Sequence, residues 1–476
     1  MNSLHFPRLF AWLLSAVLLA SCSPQRTGAS DDLATETSEE TIAFLNVNVI
    51  PMDREQVLSG QTVLVLNGQI TAVGPADQIE LPKKATKINA AGKYLLPGLA
   101  EMHAHIPVAS DAGDDEYVRE TLFLWLSNGI TTVRGMLGDP YHLRLKEQVA
   151  RDEVLSPRIY TSSPSFNGNT VRSVEEARSK VQQYHKEGYD FLKIHPGVPL
   201  APFNALAETA DELGIRFAGH VPVEVGIRRA IEAGYASVDH IDGYLEGLVR
   251  NPDELEPGGM GFFGMNVVDH IDMDLLAPLA KASKERGVWV VPTQSLMLRW
   301  PSPDDAQKMA AAAAEMRYMP PATVKNWIQR KTDFQEAPGY SASRFENFIA
   351  IRNQILLGLH EAGVDFLLGS DSPQVFNVPG FSIHHEIASL RDAGLSPYEI
   401  LRSGTANPAR YVGAEGEYGT IVPGASADLI LLAANPLQDT RNLRQVEGVM
   451  VPGKWLPKSV IDAELVRIAA KYAGME

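Results

Sequence analysis

Leu95-Leu96-Pro97-Gly98-Leu99-Ala100-Glu101-Met102-His103-Ala104-His105 is an apolar run that closes on two histidines one residue apart. Side chains of a strand alternate between its faces, so His103 and His105 project from the same side of one carboxyl end. Further short β-rich runs follow at 131–134, 158–162, 191–195, 216–220, 237–240, 288–293 and 366–371. Amphipathic stretches lie between them, such as 174–187 closed by Gly188 and 203–213 closed by Gly214. Eight β runs alternating with helical periodicity predict an α/β fold, a (β/α)8 TIM barrel over residues 96–410. Outside it, runs at 44–50, 62–66 and 69–73, with a hairpin signal at Asn67-Gly68, are matched by runs at 427–432 and 446–451. Residues 41–95 and 411–476 are therefore expected to build one small antiparallel β-sandwich domain from both chain ends, with a terminal helix. The long connections 244–275 and 295–343 leave the face where barrel enzymes carry their chemistry and are candidate lids.

Over 476 residues, 45% hydrophobic and 21% charged is the balance of a globular enzyme, not of a disordered chain. The formal charge of −16, without a basic run, opposes phosphate backbones, so no nucleic-acid partner is expected. Residues 1–21 differ from the rest. His5 and Arg8 precede an apolar run of about a dozen residues, too short for a permanent membrane span and of the size of a signal-peptide core. Leu19-Ala20-Ser21-Cys22 resembles a bacterial lipobox, and Cys22 is the one cysteine in the chain. This predicts a lipoprotein signal peptide, lipidation at Cys22, a polar tether over 22–40, and an exported, lipid-anchored envelope protein, at the outer membrane if the cell is Gram-negative. A soluble secreted form cut near Ala20 is the alternative.

His103 and His105 alone are weak evidence for a metal. The pattern gains weight because His220 ends the fifth run, His240 the sixth and Asp371 the eighth, all on one expected rim. Imidazole with carboxylate suits zinc and similar cations. Lys193, in Phe191-Leu192-Lys193-Ile194-His195, is a lysine inside an apolar strand. Near two dications its amine would lose its proton and could take up carbon dioxide, becoming an anionic carbamate; a lysine reaching the rim for a structural ion pair is the alternative.

These residues resemble the amidohydrolase superfamily, and within it the imidazolonepropionase-like and Xaa-Pro dipeptidase-like members that use a carboxylated lysine. The likeness rests on the quoted stretch, Gly129-Ile130-Thr131-Thr132-Val133-Arg134, Lys193, Gly219-His220, Asp239-His240, Gly369-Ser370-Asp371 and the passage from Gly404 to Leu437. Glu101 departs from the pattern, which usually has Asp there. The resemblance implies two divalent metal ions, with His103, His105, Lys193 and Asp371 around one and carboxylated Lys193, His220 and His240 around the other. It also implies a bridging hydroxide as nucleophile and Asp371 as the catalytic proton carrier. The expected activity is hydrolysis of an amide or related bond of a small molecule, with an Xaa-Pro or N-acyl amino acid dipeptidase first. A lactonase, cyclic amidase, phosphotriesterase or non-catalytic ligand-binding lipoprotein is the alternative. Tyr244, His195, His384 and Arg134 are candidate substrate contacts, each with a structural role as its competitor. The aromatics Phe262, Phe263, Trp289 and Trp300 read as packing.

Overall fold

The computed structural model describes residues 41–110, 113–251 and 259–475. The expected signal peptide, Cys22 and the tether lie outside them, as does part of the 244–275 connection. Among the described residues no helix is long and apolar enough to cross a membrane.

The chain opens with β1 (Thr41–Val49), β2 (Leu58–Leu66), β3 (Gln69–Pro75), β4 (Thr86–Asn89) and β5 (Tyr94–Pro97). Asn67 and Gly68 both take positive φ between β2 and β3, as a two-residue hairpin turn requires. The next strands are β6 (Leu99–Ala104), β7 (Ile130–Gly135), β8 (Arg158–Thr161), β9 (Leu192–Ile194), β10 (Phe217–Gly219), β11 (Ser237–Asp239) and β12 (Trp289–Val291). The last three are β13 (Leu429–Leu432), β14 (Val446–Val451) and β15 (Lys454–Pro457).

From β6 to β12 every pairing is parallel, and helices fill the connections, which gives a TIM-barrel-like α/β arrangement. β6, β7 and β8 form one ladder and β9 to β12 another. A bridge between Ser162 and Phe191 joins the two. Residues 366–371, expected as the eighth strand, have no strand of their own, and neither has Ser372 after them. They still bridge to β12 through Val290 and Phe366 and to β6 through Ala104 and Ser372. Within the segment Asp371 leaves the extended conformation, with φ +63°.

The small domain departs from the expected sandwich. Both chain ends contribute, but the strands join edge to edge into one mixed eight-stranded sheet, β15-β14-β13-β5-β1-β2-β3 with β4 beside β1. β1 pairs in parallel with β4 and β5, so the sheet is not purely antiparallel. It curls until β3 meets the approach to β13, where Ile70 N donates to Ala425 O. Alternation along β5 and β13 explains why no second sheet is needed. Leu95, Leu429 and Leu431 face the sheet's own core with Phe44, Val63 and Ile70. Leu96, Ile430 and Leu432 face the opposite way, onto Leu99, Ile130 and helical Leu122. The second face is thus dry because it lies against the α/β unit. The terminal helix Lys458–Ala473 docks on that unit as well, where buried Glu120 accepts from Lys471, Arg467 and Tyr472.

Candidate metal centre

Four strand ends and the 366–372 segment deliver the candidate ligands. His103 lies within β6 and His105 just beyond it; His220 and His240 follow β10 and β11 directly. Backbone bonds fix their heights: Asp371 N donates to His103 O at 2.9 Å, His220 N to Ile194 O at 3.0 Å and His240 N to Val291 O at 2.7 Å. His240 and Asp371 both sit at left-handed φ, 64° and 63°, and Thr293 and Phe263 beside them do too. Such strain in non-glycine residues persists only where the surroundings enforce it, and it gathers at functional sites.

The side chains converge. The ring centroids of His103 and His240, and of His220 and His240, lie 4.5 Å apart. Asp371 reaches His105 Nε2 at 2.8 Å and lies 3.7 Å from both His103 Nε2 and His240 Nδ1. His103, His240 and Asp371 offer ligand atoms within 4.8 Å of one another. Two imidazoles have one nitrogen held by a hydrogen bond, His220 Nδ1 3.0 Å from Asp242 Oδ2 and His240 Nδ1 2.7 Å from Thr293 Oγ1, and His103 Nδ1 lies 3.1 Å from Asp239 Oδ2. Partners on Nδ1 fix the ring and leave Nε2 for a ligand position, as around metal-bound histidines. Arg352, fully buried, clamps the His240 carbonyl at 2.8 Å.

Burial sets the charge states. It lowers the His103 pKa to about 4 and that of His240 well below the usual imidazole value, so both rings are neutral and have a free lone pair. Burial would raise Asp371, but the hydrogen bond from His105 and the nearby charge of Lys193 work against it, and its pKa stays below the usual carboxylate value. Lys193 is fully buried; its Nζ has no hydrogen-bond partner and lies 3.8 Å from Asp239 Oδ2, and burial brings its pKa down to about 8. Gly219 makes room for it: a Cβ there would stand 2.9 Å from the Lys193 stem and 2.4 Å from Ile194 O. Neutral imidazoles, an ionised carboxylate and a buried amine without a hydrogen-bond partner fit a cation site.

Glu101 lies just beneath. Its carboxyl accepts from the backbone amides of His103 and Ser370 and bonds the Ser370 hydroxyl, tying together the two segments that bear His103 and Asp371. Burial pushes its pKa up to about 8.

The candidate substrate contacts fare differently. His195 is near, stacked on His220 at 5.1 Å with Nδ1 on Ser165 Oγ at 2.7 Å. Arg134 is engaged below the site. Fully buried, it donates to Met102 O, Ser237 Oγ, Tyr411 OH and Asp239 Oδ1, so its guanidinium is consumed there rather than offered to a substrate. Tyr244 is also turned elsewhere, its hydroxyl 2.9 Å from Ser283 Oγ on the outer helix Leu276–Glu285. His384 is buried with Nε2 3.1 Å from Asn128 Oδ1 at the end of helix Glu116–Ser127, a packing position. The aromatic set divides. Phe263 lies over His240 at 5.1 Å and continues through Phe262 to Trp300, whereas Trp289 packs on Tyr411 elsewhere.

Sequence reasoning gave no role to Asp239, Asp242, Thr293 or Arg352. The first two adjoin the end of β11, which bears His240, and that position was the available signal. Thr293 follows β12, which carries no candidate ligand, and Arg352 comes from a helix far along the chain; neither carried a local mark.

The model of the Amidohydrolase family matches residues 94–456. Among curated relatives, a 5-methylthioadenosine/S-adenosylhomocysteine deaminase from Symbiobacterium thermophilum is 24% identical, covering 83% of this chain and 86% of its own. Among solved structures, a bottromycin amidohydrolase superposes with a TM-score of 0.70 at 22% identity, covering 91% and 90% of the two chains. A Xaa-Pro dipeptidase with bound methionine gives 0.63 at 18%, covering 88% and 100%. At these identities the superpositions show the fold. The family match spans the small sheet's later strands, the parallel ladders and every candidate ligand, and by it this chain belongs to the amidohydrolase family.

Proposed function

We propose that the chain is a metal-dependent hydrolase of amide or related C–N bonds, acting on an Xaa-Pro dipeptide or N-acyl amino acid from a closed (β/α)8 barrel over residues 96–410. Lys193 carries the reading. A buried amine without a hydrogen-bond partner, among neutral imidazoles and acids, is costly as an ammonium and becomes an anionic ligand once carboxylated. His103, His105, Lys193 and Asp371 would then hold one cation and carboxylated Lys193, His220 and His240 a second, with zinc suited to the donor set. Bound there, the cations supply Lewis-acid polarisation of the scissile carbonyl and a lowered pKa for water.

The remaining work falls to the chain. Asp371, ionised at rest, takes up the proton of the attacking water and hands it to the leaving nitrogen. Asp239, Asp242 and Thr293 keep the imidazoles aimed, and Glu101 holds His103 and Asp371 in register. The dipeptidase and deaminase likenesses support C–N chemistry.

The test is metal content with turnover. The chain from Ser23 onward is expected to contain about two metal equivalents and to cleave N-acyl amino acids or dipeptides. Asp371→Asn removes turnover, and Lys193→Ala empties a metal position, with short carboxylic acids restoring metal binding by standing in for the lost carbamate. Full activity of Asp371→Asn would overturn the assignment. The reading extends to location: residues 1–21 export the enzyme and acylated Cys22 anchors it in the envelope. Mass spectrometry of the amino-terminal peptide checks this, an unmodified Cys22 counting against it.

A further inference from the structure

At the end of the parallel ladder away from the candidate ligands, the chain leaves a recess of about 210 Å³. Arg216 precedes β10 and His220 follows it, and Phe191 and His195 flank β9 in the same way. Four residues of extended chain span about 13 Å, so the recess and the candidate metal centre lie at opposite ends of the same strands. The rings of Tyr160, Phe191 and Tyr411 wall the recess together with Val412, and both Phe191 and Tyr411 are buried. Three charged side chains, Arg134, Asp190 and Arg216, line it as well. Two of them are already matched. Asp190 Oδ1 lies 2.5 Å from Lys146 Nζ and its Oδ2 accepts from Thr161 N at 2.8 Å, while Arg134 is paired with Asp239 at 3.1 Å. Arg216 carries the charge left over: among the described residues it forms no ion pair, and the one hydrogen bond of its guanidinium goes to Tyr411 O. The guanidinium also stands over the Tyr411 ring at 4.9 Å. That stacking and that bond hold it in place and leave its other N–H groups without a protein acceptor among the described residues.

We propose that this recess binds a small carboxylate bearing one planar ring, an aromatic acid, at a site separate from the candidate metal centre. The carboxylate meets Arg216, whose forked donors suit its two oxygens. Its ring lies among Tyr160, Phe191 and Tyr411, where burial of apolar surface and aromatic pairing favour it. The volume sets the size: it falls below the roughly 300–1,000 Å³ of pockets for larger ligands, so a single-ring acid is accepted and a bulkier one is not. The site stands or falls independently of the hydrolase reading.

The test is calorimetric titration of the full metal-loaded chain with benzoate, acetate and benzamide. Benzoate is expected to bind at least about tenfold more tightly than acetate, which lacks the ring, and than benzamide, which lacks the charge. Arg216→Gln is expected to weaken benzoate at least about tenfold and to bring it level with benzamide. Val412→Phe fills the recess while keeping Arg216, and it is expected to weaken benzoate by a similar factor; this second variant keeps the proposal open to test should Arg216→Gln fail to fold. A carboxylate also binds cations, so the titrations are repeated after the metal is removed by a chelator, and the benzoate affinity is expected to be unchanged. Benzoate binding that survives both substitutions, or that disappears with the metal, places the acid elsewhere and overturns the proposal. Equal affinity for acetate and benzoate overturns it too, leaving an adventitious ion only, as does the absence of benzoate binding to the unsubstituted chain.

Discussion

Arg134→Met separates a scaffold role from a substrate contact. Methionine keeps an unbranched apolar stem and removes every donor. The wild-type guanidinium donates to Met102 O at 2.6 Å, Tyr411 OH at 2.9 Å, Ser237 Oγ at 3.0 Å and Asp239 Oδ1 at 3.1 Å, with none of it exposed. The main loss is at Asp239, which is also fully buried and would keep its charge without its nearest cation. Removing one partner of a buried pair costs about 3–5 kcal/mol, against a total stability of about 5–15 kcal/mol for ordinary domains. A loss of about 4 kcal/mol is therefore expected, read as a lowered urea midpoint for metal-free protein. Asp239 also orients His103, so metal affinity is expected to fall by about 10- to 100-fold. Adding Asp239→Asn removes the stranded charge, and the pair is expected to show a coupling of about 1–3 kcal/mol. Stability within about 0.5 kcal/mol of wild type, with KM raised only for carboxylate-bearing substrates, would refute this reasoning and return Arg134 to the substrate.

Three further outcomes follow from particular contacts. Asp242→Asn leaves His220 Nδ1 without its carboxylate at 3.0 Å, and metal affinity measured by chelator competition is expected to drop by about 10- to 100-fold while the far-ultraviolet dichroism is kept. Burial would raise the Glu315 carboxyl, but the His385 bond at 2.8 Å and nearby Arg299 bring its pKa down from 4.5 to about 2. Its stabilisation is present above pH 4.5 and is lost as pH falls from there toward 2, so Glu315→Gln should flatten that part of the stability profile, by on the order of 3 kcal/mol. Gly380 has φ +78°, and a Cβ there would stand 2.0 Å from Leu124 O, so Gly380→Ala must move backbone. A thermal midpoint unchanged from wild type would contradict that account; a cost of about 1–3 kcal/mol is expected.

Much of the α/β pattern could be read in advance because it depends on local periodicity. Helix Val174–Glu187 ends at Gly188, whose φ is +89°, and the hairpin turns at Asn67 and Gly68. Both are decided within a few residues by backbone sterics. The eighth run was legible as an apolar segment but not as an irregular one, because its shape comes from Asp371 being held against His103, a partner 268 positions away in the sequence.

The sequence by itself determined which side chains end the parallel strands, since alternation and strand length place His103, His105, His220 and His240 at carboxyl ends whatever surrounds them. Only the tertiary structure decided what the remaining polar residues do. Arg134 and Tyr244 stand beside the same motifs as the candidate ligands, yet one spends its donors on Asp239 and Tyr411 and the other on Ser283. Likewise the strand pattern could not distinguish a sandwich from one curled sheet, because Leu96 and Ile430 look equally apolar whether they face a second sheet or the α/β unit. A side chain's period along the chain fixes its direction from the backbone; its partner is fixed by whichever distant segment packs there, and that lies beyond any local pattern.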